Sequence, residues 1–462
     1  MRILVSNMPM VLLLVVVSFG GLVEGCGEAG VQAPTAHAGA TDYNPENGMV
    51  QDEGGADPTE KAAKKTCGFQ VGWTSDVVGG LGGRIIKVTT LAVEGPGSIS
   101  AAIHEKGPRV IVFEVGGTIN LKKHNLVIDQ PYLTIAGQTA PEPGITFIDG
   151  GIEVSTHDVV IQHIRVRPGQ GKHGKGWEPD GISLEAASNV IIDHCSITWA
   201  IDENLSASGP RFEGKSAREW RRNTSHHVTF SNNIIAEGLN NSTHSLGSHS
   251  KGSLIHDNVT SVLIYGNLYA NNADRNPLFK GGSQAVLANN YIFNPKRNGP
   301  SYALVENEWG TLPAQIGLLS LVGNVYREGP DTRSGERGFF HSVYGPVVTY
   351  IEDNLLIGKG GSDVAEVSHE KFDVMTRLPV APLWPPGFKA IKSEEVLKRI
   401  QSNVGARPWS RDRIDTRIVN DSIAGIGRHI DHENDVGGFI QTTESFKSFN
   451  RDEWDDCFEK LD

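Results

Sequence analysis

Four short segments near the middle of the chain carry side chains suited to metal and acid–base chemistry. They read Asp180-Gly181-Ile182-Ser183, then Asp193-His194-Cys195-Ser196 running into Trp199-Ala200-Ile201-Asp202-Glu203, then Lys251, then Arg275-Asn276-Pro277. Carboxylates come first and two cations follow. That order suits a site where a divalent metal and basic side chains act on an anionic sugar acid. Each residue also has a plainer use. Asp180 could open a strand, Asp202 and Glu203 could be a solvated loop pair, and Lys251 could be surface charge. Arg275 could pair with Asp274. Asp193 and His194 fit a hydrogen-bonded turn stack better than direct catalysis. His244, His249 and His256 match no zinc-ligand spacing, and loop histidines are expected to be solvated.

A repeat surrounds these residues. Val159-Val160-Ile161-Gln162-His163, Val190-Ile191-Ile192-Asp193-His194, Val228-Thr229-Phe230-Ser231-Asn232 and Val262-Leu263-Ile264-Tyr265-Gly266 share one pattern. An Asn recurs at positions 233, 267, 290, 324 and 354, at spacings of 34, 23, 34 and 30 residues. Each unit is a β-branched strand, a polar turn residue and another short apolar strand. No amphipathic helix separates most units, which argues against βαβ construction. A strand-rich repeat of this length points to an all-β solenoid, a right-handed parallel β-helix with one coil per repeat. The recurrent Asn is expected to bond its equivalent in the next coil as an internal ladder. A β-sandwich would place its turns about 8–12 residues apart.

The flanks differ. Arg2 and the run Met10-Val11-Leu12-Leu13-Leu14-Val15-Val16-Val17 read as a targeting segment over residues 1–25, too short to span a bilayer comfortably. Leu22-Val23-Glu24-Gly25-Cys26 is similar to a bacterial lipoprotein cleavage box, with Glu24 in place of the usual small or apolar residue. This implies a secreted protein or a cell-surface lipoprotein anchored through Cys26. Residues 26–66, poor in large apolar side chains, are expected to be a flexible tether. Cys67 and Cys457 flank the folded part and could form a disulfide in an exported protein. Cys195, within a strand pattern, is expected to be a small buried apolar residue. The β-helix is placed at 67–370, and residues 371–462 are read as a tail packed along it. Within that tail, Ser393–Ile400 reads as a short helix with an acidic first turn and a basic last turn. The formal net charge of −12 argues against a nucleic-acid partner, and a monomer is expected.

Gly95-Pro96-Gly97-Ser98-Ile99, Val112-Phe113-Glu114-Val115-Gly116-Gly117-Thr118-Ile119 and Ile135-Ala136-Gly137-Gln138-Thr139-Ala140-Pro141 resemble the first coils of pectate lyases of the main parallel β-helix family. Asp193-His194-Cys195-Ser196 resembles that family's signature strand, and Arg275-Asn276-Pro277 the start of its Arg-x-Pro motif. The similarity runs from about residue 68 to about residue 430. It implies calcium-assisted β-elimination on pectate, an anionic plant cell-wall polysaccharide. By this resemblance Asp180, Asp202 and Glu203 hold calcium, Lys251 and Arg275 are catalytic, and Lys280 binds substrate. Two departures stand out. Ser206 occupies the position four after Asp202 where the family has a second Asp, and Arg-x-Pro-Arg-x-Arg is here Arg275-Asn276-Pro277-Leu278-Phe279-Lys280. Leu278 carries no charge, and Lys280 lacks the bidentate fork of an arginine.

Elimination removes the proton at C5, next to the uronate carboxylate. Arg275 is the implied base, which predicts activity rising into the alkaline range because a free guanidinium is almost wholly protonated near neutrality. Two other functions fit a β-helix: a hydrolase using paired carboxylates, and a glycan-binding module without catalysis.

Overall fold

The computed structural model describes residues 67–370 and 375–460. They belong to one unit, Pro58–Asp462. The targeting segment, Cys26 and the tether lie outside the described residues.

The repeat folds through its corners. Strands His157–Gln162, Ser188–Asp193, His226–Ser231 and Thr260–Tyr265 end at His163, His194, Asn232 and Gly266. Those four residues have φ of 56°, 48°, 54° and 67°. A left-handed residue turns the chain sharply, which Gly and Asn tolerate best. A three-residue strand follows each corner, as in Ser196–Thr198 and Ile234–Ala236. The strand patterns read from the sequence therefore hold to within two residues at their starts.

Successive coils stack in parallel register, for example Val190↔Val228↔Val262. Three sheets of eleven, nine and ten strands result. Each coil runs from the eleven-stranded sheet through the tight corner to the ten-stranded sheet. It then passes through a longer loop to the nine-stranded sheet. This is the expected parallel β-helix, and the β-sandwich is excluded. The interior is filled by inward side chains such as Ile161, Ile192, Phe230, Ile264 and Leu287. Each large apolar side chain so buried contributes about 1.5–3 kcal/mol.

The asparagine ladder forms. Backbone N–H and side-chain Nδ2 of Asn233 donate to Asn267 Oδ1 at 2.9 and 3.0 Å. Asn267 repeats this on Asn290, Asn290 on Asn324, and Asn324 on Asn354. Asn233, Asn267, Asn290 and Asn324 are fully buried, so each amide replaces water for the corner backbone. Cys195 occupies the rung before Asn233, and its N–H donates to Asn233 Oδ1 at 2.7 Å. Its thiol is buried, as expected.

The tail lies along the ten-stranded sheet. Val396, Ile400, Ile414 and Ile418 pack on Trp199, Ile234, Leu268 and Tyr291. The first tail helix runs Ser393–Asn403, a turn longer than expected, and its last turn carries no cation. A second helix, Arg413–Ala424, was not among the expected elements; Asp412 caps its start and left-handed Gly425 its end. Buried Arg165 and Arg167 pair with Asp412 and Asp415 at this helix's start, with contacts of 2.7–3.3 Å. Removing one partner of such a buried group typically costs about 3–5 kcal/mol. Ser445–Phe446 then adds antiparallel to Val115–Asn120 at the open sheet edge, which blocks edge-to-edge association there. Cys67 and Cys457 form a disulfide that ties together positions 390 residues apart.

Candidate active site

The longer loops between the ten- and nine-stranded sheets bring the expected residues to one corner. Ile182 pairs with Leu205, which sets Asp180 beside Glu203 two positions earlier. Glu203 pairs with Lys251, and Lys251 bridges to Asp274. Asp180, Glu203, Lys251 and Asp274 therefore stand at equivalent points of four successive coils. Asp202 and Arg275 adjoin the second and fourth of these points.

Several contacts hold the loops. Trp199 is fully buried, and its Nε1–H donates to Glu237 Oε2 at 3.0 Å. Glu237 in turn pairs with Arg417 of the second tail helix. Asn204 donates from Nδ2 to the Lys251 carbonyl at 3.0 Å and to Asn272 Oδ1 at 3.1 Å, joining three coils. The tail thus reaches the loops of the site through Trp199 and Glu237.

Asp180, Asp202 and Glu203 each offer a carboxylate oxygen within 4.8 Å of the others. Asp180 Oδ1 accepts from the Glu203 backbone N–H at 3.0 Å, and Oδ2 accepts from Ser206 Oγ at 3.2 Å. Ser206, where the family has an Asp, supports the nest with a hydroxyl. Burial, followed by the charge on Asp202, pushes the Asp180 carboxyl up to about 7. Asp202 shifts the other way. Burial works against its charge, but the hydrogen bond and charge of His249, with Arg275 and His244, hold it below the usual range.

His249 Nε2 lies 2.8 Å from Asp202 Oδ1, and His244 Nε2 lies 3.7 Å from Asp202 Oδ2. Both imidazoles are buried, and their rings stack at 3.5 Å. The expectation of solvated histidines is wrong for this pair because the loop folds back over Asp202. His244 Nδ1 accepts from the Leu246 N–H at 3.1 Å. That leaves Nε2 as the protonated nitrogen, aimed at carboxylates and unsuited to ligating a metal. The pair is a clamp on Asp202. The spacing 244/249 carried the signal, but only the fold shows which carboxylate it meets. His256 is elsewhere, paired with Asp257 at 2.8 Å.

Among the cations, Lys251 Nζ donates to Asp274 Oδ2 at 3.0 Å. Arg275 forms a close ion pair with Glu203, while Asp274 Oδ1 takes only its backbone N–H. Burial draws the Arg275 guanidinium down from its ordinary value, and Asp202 and Asp180 oppose that shift. Lys280 is buried and donates to Glu308 Oε1 at 2.7 Å. Arg211 also meets Glu308 and Asp257, so the insertion from Arg211 to Arg222 packs at this end of the site. Lys280 thus joins a charge network here, its ammonium already committed to Glu308.

The nest fits calcium by its chemistry. Three carboxylates supply hard oxygens, and a cation bound there would favour the ionised form of Asp180, which burial first and the Asp202 charge second oppose.

No family model matches the sequence. A probable pectate lyase C of Emericella nidulans is 30% identical over 385 residues, covering 79% of this chain and 78% of the relative. Its counterpart in Neosartorya fischeri is 32% identical over 355 residues, covering 75% and 74%. Among solved structures, jun a 1, the major allergen from cedar pollen, aligns with a TM-score of 0.53 at 15% identity, over 72% of this chain and 92% of the allergen. The thermostable pectate lyase PL 47 aligns at 0.51 and 14% identity, over 75% and 99%. These two likenesses show a shared fold, and the curated relatives show more: the chain belongs to the pectate lyase family.

Proposed function

We propose that this protein is a polysaccharide lyase that cleaves polygalacturonate by calcium-assisted β-elimination, leaving 4,5-unsaturated oligogalacturonides. The observation that carries this reading is the corner itself. Asp180, Asp202 and Glu203 converge there, with Arg275 from another coil in contact with Glu203.

Asp180, Asp202 and Glu203 would hold the metal. Calcium bound there would draw charge from the substrate carboxylate and so acidify the C5 proton. Lys251, a compact charge one coil below Glu203, orients a substrate oxygen. Arg275 accepts the C5 proton. Its burial favours the neutral form, while Glu203 favours the charged one, so Arg275 is freest as a base when Glu203 is engaged away from it. Lys280 meets the substrate in this reading by leaving its pair with Glu308. The enzyme acts as a monomer outside the cell, free or anchored through a lipid on Cys26.

One observation favours a second reading. Asp180 and Asp202 have ionisation pushed in opposite directions, the pattern of an acid–base pair. A hydrolase is therefore the rival. Product analysis separates them: elimination generates near-ultraviolet absorbance on polygalacturonate, lost with a calcium chelator. New reducing ends without that absorbance would establish hydrolysis. Binding of pectate without cleavage would establish a glycan-binding module.

A further inference from the structure

A separate cavity opens at the tight corner between the eleven- and ten-stranded sheets. The strand Ser196–Thr198 and its flanking residues separate it, within one coil, from the loop carrying Asp202. Its volume is about 810 Å3, within the roughly 300–1,000 Å3 usual for small-molecule sites. One wall is the β-helix corner with His163 and His194. The other is the tail, including Arg399, Arg407 and Trp409.

The lining has three parts. First comes a row of flat rings. His163 stacks on His194 with centroids 4.9 Å apart, and Trp409 lies 5.1 Å from His163. Burial takes the His163 imidazole down to about 3, so it stays neutral. Trp409 is 56% exposed, an unusual position for so large an apolar ring. The exposed Trp409 ring suits the C–H face of a sugar, with His163 and His194 packed behind it.

The second part is unpaired hydrogen-bonding capacity. Gln138 is 8% exposed and gives its Nε2 protons to the Gln162 side chain and the Phe458 carbonyl. Its Oε1 is buried without a partner, and so is Arg407 Nε. An orphan acceptor and an orphan donor left buried cost free energy unless a ligand satisfies them. A hydroxyl group answers the first; Arg407 already gives its terminal nitrogens to Glu142 Oε1 at 2.7 Å and to the Ala140 carbonyl at 3.1 Å.

The third part is charge. Asp193 is consumed within the wall by His194, Ser231 and Asn232. Burial opposes the charged form of His194, but Asp193 at 2.7 Å prevails and holds it above its ordinary range. Arg399 donates to the neutral Asn232 Oδ1 at 3.1 Å. Glu142 and Glu459 line the cavity as well as Lys447 and Lys460; Arg407 pairs with Glu142 and Lys447 with Glu453, which leaves Arg399 as the arginine of this wall held only by a neutral partner.

We infer that this cavity is a second, non-catalytic carbohydrate site that takes a short uronate oligosaccharide. Trp409 stacks on a sugar face, Gln138 accepts a hydroxyl, and Arg399 holds a carboxylate. Galacturonate as the uronate rests on the lyase reading above, whereas the match of ring, hydroxyl acceptor and cation does not. Occupancy would hold an acidic chain on the enzyme away from the cutting corner.

The test is calorimetric titration of the full chain with trigalacturonate in the presence of a calcium chelator, with maltotriose as the uncharged control. Trp409→Ala and Arg399→Ala, both at solvent-accessible positions, should each weaken binding at least tenfold. Arg275→Ala and Asp202→Asn should leave it within about twofold, and maltotriose should bind at least tenfold more weakly. Circular dichroism confirms that each variant is folded. The inference is overturned if wild type shows no binding, if maltotriose binds equally well, or if binding is lost in Arg275→Ala and kept in Trp409→Ala. Absence of lyase activity in wild type would sink the proposed function and leave this titration untouched.

Discussion

Two stacks of equivalent residues run along the same coils and behave oppositely. The ladder Asn233, Asn267, Asn290, Asn324 and Asn354 is neutral, and each rung satisfies the next. The row Asp180, Glu203, Lys251 and Asp274 is charged: Lys251 pairs with Asp274 and Arg275 with Glu203, while Asp180 stands beside Asp202 without an ion pair of its own among the described residues. The backbone geometry is similar, since both come from parallel register. The difference lies in whether the stacked side chains complete one another. A complete stack stabilises the solenoid; an incomplete one is available for chemistry.

Four outcomes break or sharpen this contrast. Asn267→Ala should cost about 3 kcal/mol of stability, because the Phe230 and Tyr265 carbonyls and the Asn290 rung lose their partner. Chemical denaturation measures the loss, and activity per folded molecule should not change. Asp202→Asn should do the reverse, leaving the denaturation midpoint nearly intact while calcium affinity by calorimetry falls about a hundredfold. His249→Ala leaves the nest complete but removes the clamp on Asp202, so calcium affinity should fall about tenfold.

The fourth outcome is a pH dependence. Asp180, raised to about 7, must be ionised to bind calcium. Affinity should therefore be full above that value and decline as pH falls through it, by about tenfold between pH 8 and 6. The metal-free fold follows the opposite sign. Its native state binds a proton at Asp180 that the unfolded chain has released, so stability should drop as pH rises from about 4 to 7. Paired titrations with and without calcium would show the two slopes.

Much of this was legible beforehand because solenoid repeats write their geometry locally. A β-branched run followed by a left-handed corner and an Asn is readable one coil at a time. Asp180, Asp202, Glu203 and Arg275 could be gathered onto one face once the coils were stacked. What escaped depended on contacts across long separations. The clamp of His244 and His249 on Asp202 needs the loop to fold back 42 and 47 residues. The second tail helix is held by Arg165 and Arg167, more than 240 residues upstream, although its caps, Asp412 and Gly425, and its buried face of Ile414, Ile418 and Val419 are local signals. The pairing of Lys280 with Glu308 lies between coils and has no local signature.

The central claim is that Arg275 performs the proton transfer while the carboxylates hold the metal. It is tested most directly by measuring, on purified Arg275→Ala, calcium affinity alongside the rate of unsaturated product formation on polygalacturonate. With Glu203 released from its ion pair, calcium should bind at least as tightly as in wild type. Product formation should fall by about a thousandfold. A variant that keeps more than about a tenth of the wild-type rate with calcium bound would contradict the account.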